Sequence, residues 1–495
     1  MAKRVIVVGA GAGGLIAAGR AAELGARVLL LEKMDEPGKK ILISGKSRCN
    51  ITNAAPLEQF LTYYGRNGRF LRNAFHRFFR DELLQLLSRY GVEAQTERGG
   101  RIFPASGDAR DVRDALLRYT SQYAVEVRTQ TEVRRLVGEE LLRGVALADG
   151  AQIPADVVIL ATGGASWPAT GSTGQGYVMA QEVGHTLNPL RPALVPLTVV
   201  ERSTAKALQG VSLRNVRCDF FVRRAGRAER RLPIPYPMPD TGEMLFTHFG
   251  VSGPQILTAS IAVVDALRSG HEVLLSIDLK PGMPVDDVHA RLQREFEQHP
   301  HRRLPTLLRD WVPGMLADVL AGLSGIEAER HVHRIRAEER ARLVELLKGF
   351  RWTISGSLPL AAGMVTAGGV ALDEVDPATF ASRKVKGLYI VGELLDLAAD
   401  TGSPAIERFT GPQIRTFALS EPERYAQTAR IHLVSSFLCS VLIGRDAPID
   451  TGDGAGMNLL NLRTLAWDEE IAAFTAPDLI SKLPQIGSGV AGGLH

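Results

Sequence analysis

Residues 4–32 read RVIVVGAGAGGLIAAGRAAELGARVLLLE, and this stretch decides the fold. Residues 4–8 are a short β-branched apolar run, the pattern of a strand buried on both faces. Gly9-Ala10-Gly11-Ala12-Gly13-Gly14 follows, then an Ala- and Leu-rich helix expected from about Gly13 to Leu24. Gly25 occupies the capping position, and a second apolar strand over 27–31 ends at Glu32. Strand, G-x-G-x-x-G, helix and a second strand ending in an acid make up the dinucleotide-binding fingerprint. Gly9 permits the tight turn, Gly11 lets backbone approach a pyrophosphate, and Gly14 lets helix and strand pack closely. The helix N-terminus presents unpaired N–H groups and a positive dipole end to the phosphates. Glu32 stands 18 residues after Gly14, where a ribose-binding carboxylate belongs.

The rest of the composition fits an ordinary globular chain. At roughly 100–200 residues per domain, 495 residues imply two to four domains. Hydrophobic residues at 45% and charged residues at 23% exclude disorder, collagen and coiled coil. Cys49, Cys218 and Cys439 are too few and too scattered for a disulfide framework, which points to a reducing, cytoplasmic setting. The net charge of +4 comes from interspersed signs, so no nucleic-acid or membrane partner is expected. The glycine-rich run after Met1-Ala-Lys-Arg4 is no signal peptide, and no apolar run reaches the ~18 residues a spanning helix needs.

Further along, Gly45-Lys46-Ser47 imitates the tail of a phosphate loop, but Lys40 stands where its first glycine belongs. Residues 156–161 form an apolar strand running into the flexible turn Thr162-Gly163-Gly164. Residues 386–391 form another, with Gly392-Glu393 at its C-terminal end, where open α/β sheets bind ligands. Glu393 is expected to meet a ribityl hydroxyl or a bound water. The nucleotide domain takes residues 1–190 and 355–397, split by an insertion. Within it, short β-type runs at 195–200, 216–222, 231–234, 243–246 and 273–277 suggest a barrel or sandwich over 191–280 and about 345–354. Residues 281–344 read as a small helical subdomain broken at Pro300, Pro305 and Pro313. His248 is the candidate proton donor or acceptor, because histidine titrates near neutrality. The pairs His299/His301 and His331/His333 lack companion ligands in metal spacing, and residues 450–461 fail as a calcium loop, so no metal site is expected. As a charge pair Lys39-Lys40 suggests a solvated face, as does 336–342.

Over residues 1 to about 397 the chain resembles the bacterial NAD(P)/FAD-dependent oxidoreductases of the two-dinucleotide-fold class, which includes aminoacetone oxidases and dehydro-bile-acid reductases. The motifs are Gly9–Gly14 with Glu32, then 43–53 (ISGKSRCNITN), 100–111 (GRIFPASGDARD) and 158–176 (VILATGGASWPATGSTGQG). They continue with 242–254 (GEMLFTHFGVSGP), 365–370 (VTAGGV) and 387–396 (GLYIVGELLD). The resemblance implies an FAD cofactor, an α/β Rossmann-like fold and a loop at 43–53 lying along the flavin. Residues expected at the cofactor are Gly9, Ala10, Gly11, Gly13, Gly14, Glu32, Lys33, Lys40, Ser44, Gly45, Arg48, Cys49 and Asn50. Val133, near the adenine, joins them with Thr162, Gly163, Gly164, Gly392, Glu393 and Asp396. Lys46-Ser47 departs from the family, whose members usually carry two glycines there.

The resemblance stops there. Residues 398–495 lack the family's closing helix and instead resemble part of a xylulokinase of the FGGY sugar-kinase family, through 402–414 (GSPAIERFTGPQI), 430–437 (RIHLVSSF) and 447–460 (APIDTGDGAGMNLL). That resemblance implies a sugar contact at Arg408, but the segments matching the kinase's phosphate loop and catalytic aspartate are missing. The expected activity is hydride transfer between FAD and a small organic substrate, with NAD(P)H or dioxygen as second partner. A sugar kinase and a tRNA-modifying flavoprotein are the rival readings. The foreign tail is expected to weaken FAD binding and turnover.

Overall fold

In the computed structural model Val5, Ile6, Val7 and Val8 are almost wholly buried, as a strand covered on both faces must be. The structure describes residues 2–97, 99–224, 226–327 and 329–400, with short stretches between 422 and 487. The chain divides into two units, Met1–Ala405 and Ile406–His495.

In the first unit, β1 (Arg4–Val8) leads through α1 (Ala12–Glu23) to β2 (Arg27–Leu31), as the fingerprint requires. β1 is the middle strand of a five-stranded sheet whose order is 388–390, 157–160, 4–8, 27–31, 126–128. Each adjacent pair is parallel, with Val8 opposite both Leu31 and Leu160. The register brings Gly9, Glu32, Ala161 and Val391 to one rim, which is where such sheets bind ligands.

The insertion closes on itself. Its strands Ser212–Arg223, Gly242–Thr247, Gly250–Ser252, Leu197–Val199, Phe350–Ser357 and Glu272–Asp278 pair in that order, and the last pairs back onto the first. The result is an antiparallel barrel. The strand expected at 231–234 shrinks to Arg230–Arg231, because Pro233 and Pro235 have no N–H to give a ladder. Pro254–Arg268 is a helix that the expected run of strands did not include, and it packs against strands all around the ring. Its face-to-face apolarity hid it, since a helix buried on every side carries no 3.6-residue stripe. Helices Val285–Gln298, Gly314–Leu323 and Ala337–Lys348 share one core with the barrel, in which Phe296, Leu316 and Leu343 are buried with Phe246 and Trp352.

Outside the insertion, residues 185–186 and 374–384 form a buried polar knot. His185 is fully covered, with Nδ1 3.1 Å from Glu374 and Nε2 2.8 Å from the Ser382 hydroxyl. Burial lowers the His185 pKa. Burial alone would raise that of Glu374, but hydrogen bonds from Lys384 and Thr186 hold it down to about 2.

In the second unit the described residues include the helix Pro422–Gln427 and a parallel pair of Ile449–Asp450 with Ile486–Gly487. Arg408 lies outside the described residues. Among the described residues no helix is long and apolar enough to cross a membrane, and no group of three or more His, Cys, Asp or Glu side chains is arranged to hold a metal ion.

Candidate active site

A cleft of about 420 Å³ opens on the C-terminal rim of the parallel sheet. Its floor is the fingerprint turn. Gly9 has φ +99°, and a Cβ there would lie 2.7 Å from the Ala161 carbonyl oxygen. A Cβ on Gly14 would sit 1.8 Å from the Gly9 carbonyl oxygen, so this glycine brings α1 onto the turn. Gly11 is different: a Cβ there meets nothing within 4 Å, because the residue faces the cleft. Gly11 is also the N-cap of α1, with no side chain covering the helix end.

Glu32 closes one side of the cleft. Its carboxylate accepts from the Ala10 N–H at 2.8 Å and the Met34 N–H at 2.9 Å, which fixes its orientation and leaves lone pairs toward the cleft. Val133 lines the same side, and its carbonyl accepts from the Gln175 amide at 3.0 Å. Lys33 donates to Thr173 Oγ1 at 2.7 Å, and burial lowers its pKa.

The opposite side is built by α2 (Lys39–Ile43), the following loop and residues 391–393. The loop keeps a left-handed path: φ is +56° at Gly45, +58° at Lys46, +64° at Ser47 and +59° at Cys49. Ser44, Cys49 and Asn50 line the cleft, and burial raises the Cys49 pKa. Asn50 Oδ1 and Thr162 Oγ1 are both buried in the cleft wall without a hydrogen-bond partner among the described residues. Gly163 and Gly392 line the cleft as well.

Glu393 lines the cleft, and its carboxylate is also held by protein donors. It accepts from Lys40 Nζ at 2.8 Å, the Thr366 N–H at 2.7 Å, Ser166 Oγ at 3.3 Å and the Gly164 N–H at 3.4 Å. Gly164 has no room for a side chain, since a Cβ would lie 2.8 Å from Glu393 Cδ. Lys40 also donates to Ser166 Oγ at 2.9 Å, so it is no solvated surface charge. Ser166 and Thr366 were not singled out in the sequence; only their neighbourhood to the glycine motifs hinted at them.

Several expected residues lie outside the lining. Ala10, Gly13 and Gly14 belong to the turn, but of these only Gly13 borders the cleft; Gly45 shapes its loop from behind. Arg48 turns away, bidentate to Glu97 and 4.1 Å from the Phe103 ring centre. Asp396 is buried and accepts from Asn188 Nδ2 at 2.9 Å and the Gly368 N–H at 3.1 Å, so it braces the strand end instead. His248 is exposed on the turn between Gly242–Thr247 and Gly250–Ser252 and does not line the cleft.

The description "HI0933-like protein Rossmann domain" matches residues 3–407. The 3-dehydro-bile acid delta(4,6)-reductase of Clostridium scindens is 33% identical over 402 residues, covering 81% of this chain and 94% of that protein. The ribosomal RNA dihydrouridine synthase of Escherichia coli is 29% identical over 400 residues, covering 80% and 92%. A different relative, the probable D-xylulose kinase A of Aspergillus clavatus, is 47% identical over 111 residues, 21% of this chain but 19% of the kinase.

Proposed function

Because the chain belongs to the HI0933-like Rossmann family of flavin-dependent oxidoreductases, we propose that it holds FAD in this cleft and reduces a carbon–carbon double bond conjugated to a carbonyl group in a small molecule. The observation that carries the cofactor is the pair of unpartnered buried atoms, Asn50 Oδ1 and Thr162 Oγ1, in the wall of a fingerprint cleft. Buried polar groups are nearly always satisfied, so these two call for a polar ligand. The cleft fits FAD in its other parts too. Gly11 and the uncapped start of α1 suit the pyrophosphate, and Glu32 suits the adenosine ribose beside Val133. Asn50 and Thr162 would be among the residues that hold the bound cofactor through polar contacts.

The reaction class follows from the relatives. One is named for reducing double bonds of a 3-dehydro, that is 3-oxo, steroid acid, and the other for reducing uridine in ribosomal RNA. In both the double bond is conjugated to a carbonyl. When bound and reduced, the flavin would supply the hydride. The substrate gains that hydride on the carbon β to the carbonyl and a proton on the α carbon, and so takes up two electrons. NAD(P)H restores the reduced cofactor. A donor within hydrogen-bond reach of the substrate's carbonyl oxygen favours the step, since negative charge gathers there.

A small-molecule substrate is favoured over RNA by the charge balance, because many arginines on the described surface are already paired with acids. The experiment is to purify the chain, supply excess FAD and record the flavin absorption. Anaerobic NADPH should bleach it, and a conjugated enone should restore the colour where the saturated ketone does not. Failure to take up FAD rejects the reading. Restoration by dioxygen alone turns it into an oxidase, and salt-sensitive RNA binding with restoration by RNA selects the RNA-modifying alternative.

A further inference from the structure

Glu32 at the end of β2 takes the adenosine half of the cofactor in the reading above, which leaves the redox half for the side formed by α2, the 44–50 loop and residues 391–393. Three large apolar side chains are exposed on segments next to that side without lining the cleft itself: Ile43 at 41%, Trp167 at 45% and Met364 at 47%. Each is tied to Lys40 through one link. Ile43 is three residues beyond Lys40 on α2, and so shares its face. Trp167 follows Ser166, whose hydroxyl accepts from Lys40 at 2.9 Å. Ser166 in turn reaches the Met364 carbonyl at 3.4 Å, and the Trp167 N–H donates to the Ala361 carbonyl at 3.2 Å, which fixes the two loops side by side.

Two further observations mark this rim as a binding surface. The Lys40 ammonium has three donors, and two are used, on Ser166 and Glu393. The third has no partner among the described residues, and Lys40 lines the cleft. Trp167 has φ +56°, a left-handed conformation that a bulky residue adopts only when the surroundings impose it, and such residues cluster at ligand sites. Exposed apolar side chains on segments next to a partly exposed lysine with one N–H not used by the protein suit a ligand with a flat apolar body and a single oxygen acceptor.

We infer that the Ile43, Trp167 and Met364 rim around Lys40 is the substrate subsite, and that it takes an apolar ring compound whose carbonyl oxygen accepts the free N–H of Lys40. This rests on the flavoprotein reading above and names the substrate class of the same site. Trp167 and Met364 hold the ring body, Ile43 covers the α2 side, and Lys40 fixes the carbonyl end. The bond to Lys40 strengthens as charge gathers on that oxygen. Glu393 and Ser166 act as positioning residues, because they hold the ammonium without touching the substrate.

The test uses the full chain loaded with excess FAD and equilibrium dialysis against a conjugated 3-oxo bile acid. The unaltered protein should bind it, and Trp167→Ala and Met364→Gln should each weaken binding by about tenfold. Trp167→Phe should recover most of the loss. Lys40→Met should weaken binding of the 3-oxo acid more than that of its analogue lacking the 3-oxygen. Visible absorption of each variant reports whether FAD is held. If FAD is held and Trp167→Ala with Met364→Gln bind the acid as the unaltered protein does, the subsite is wrong. It is equally wrong if the FAD-loaded protein ignores the acid, or binds a uridine-containing RNA hairpin in its place. An unaltered protein that takes up no FAD overturns the flavoprotein reading itself, and the subsite with it.

Discussion

At the scale of single residues, two glycines of one motif answer to different constraints. Gly14 has the Gly9 carbonyl where a Cβ would go, whereas Gly11 has open space. Gly14→Ala should therefore destabilise the protein by about 1–3 kcal/mol through overpacking. Gly11→Val should leave thermal stability near that of the parent and abolish FAD uptake. Melting curves and flavin absorption separate the two, and a Gly11→Val protein that keeps its FAD would contradict the proposed pyrophosphate position. His185 supplies a pH dependence. Its pKa is depressed by burial, so the unfolded chain takes up a proton near the ordinary value of about 6.5 while the folded chain resists it. The stability it contributes is present above that pH and is lost as pH falls below it. Glu374, held at about 2, adds a second loss as pH drops through the ordinary carboxylate range. Urea midpoints should fall from pH 7 to pH 5, and His185→Gln should flatten that fall while lowering stability throughout. A variant whose midpoints fall as steeply as the parent's would show that other groups set the slope.

At the scale of elements, the loop after α2 holds ordinary side chains in a glycine-like conformation. Lys46 and Ser47, where the family resemblance implies glycines, stand at φ +58° and +64°, both exposed. A left-handed non-glycine residue costs roughly 1–2 kcal/mol, partly offset because glycine adds freedom of about 0.5–1 kcal/mol to the unfolded chain. Lys46→Gly with Ser47→Gly should therefore raise the melting temperature, by a few degrees at most, as calorimetry would show; a fall would mean that these side chains make contacts worth more than the strain. The β1–α1–β2 unit was legible because turn glycines, apolar run and terminal acid fix geometry locally. The helix Pro254–Arg268 was not, since burial on all sides erased its period. The network at Glu393 was illegible for another reason: its donors come from Lys40, Gly164, Ser166 and Thr366, which no local pattern joins. His248 looked catalytic by residue type alone, and only the barrel's closure shows its turn outside the cleft.

At the scale of the whole molecule, the flavoprotein family match ends at residue 407, and about a fifth of the chain resembles a xylulose kinase. The family resemblance implies an ending whose helix N-terminus faces the flavin's electron-rich end, which would contribute about 1–2 kcal/mol or roughly five- to thirtyfold in Kd. Replacing the residues after Asp396 with a typical family ending should tighten FAD binding by that factor and raise turnover, measured by flavin fluorescence titration and enone reduction. Equal affinity and equal rates in both chains would rule out a contribution from the closing helix. That change of ancestry was readable from residue strings alone, whereas the barrel's ring order needed coordinates, because strand pairing depends on contacts far apart in the chain. The same distance bears on biosynthesis. Lys40 and Glu393 are 353 residues apart, and at ~5–20 residues per second a ribosome needs roughly 20–70 seconds to travel between them. Throughout that interval the lysine lacks its counter-charge, and from the time residue 160 is made the strand Val157–Leu160 has no neighbour on the side that Leu388–Ile390 will fill. The nascent chain thus carries an open sheet edge until almost the whole oxidoreductase portion has emerged, and the cleft is completed only after its last strand is made.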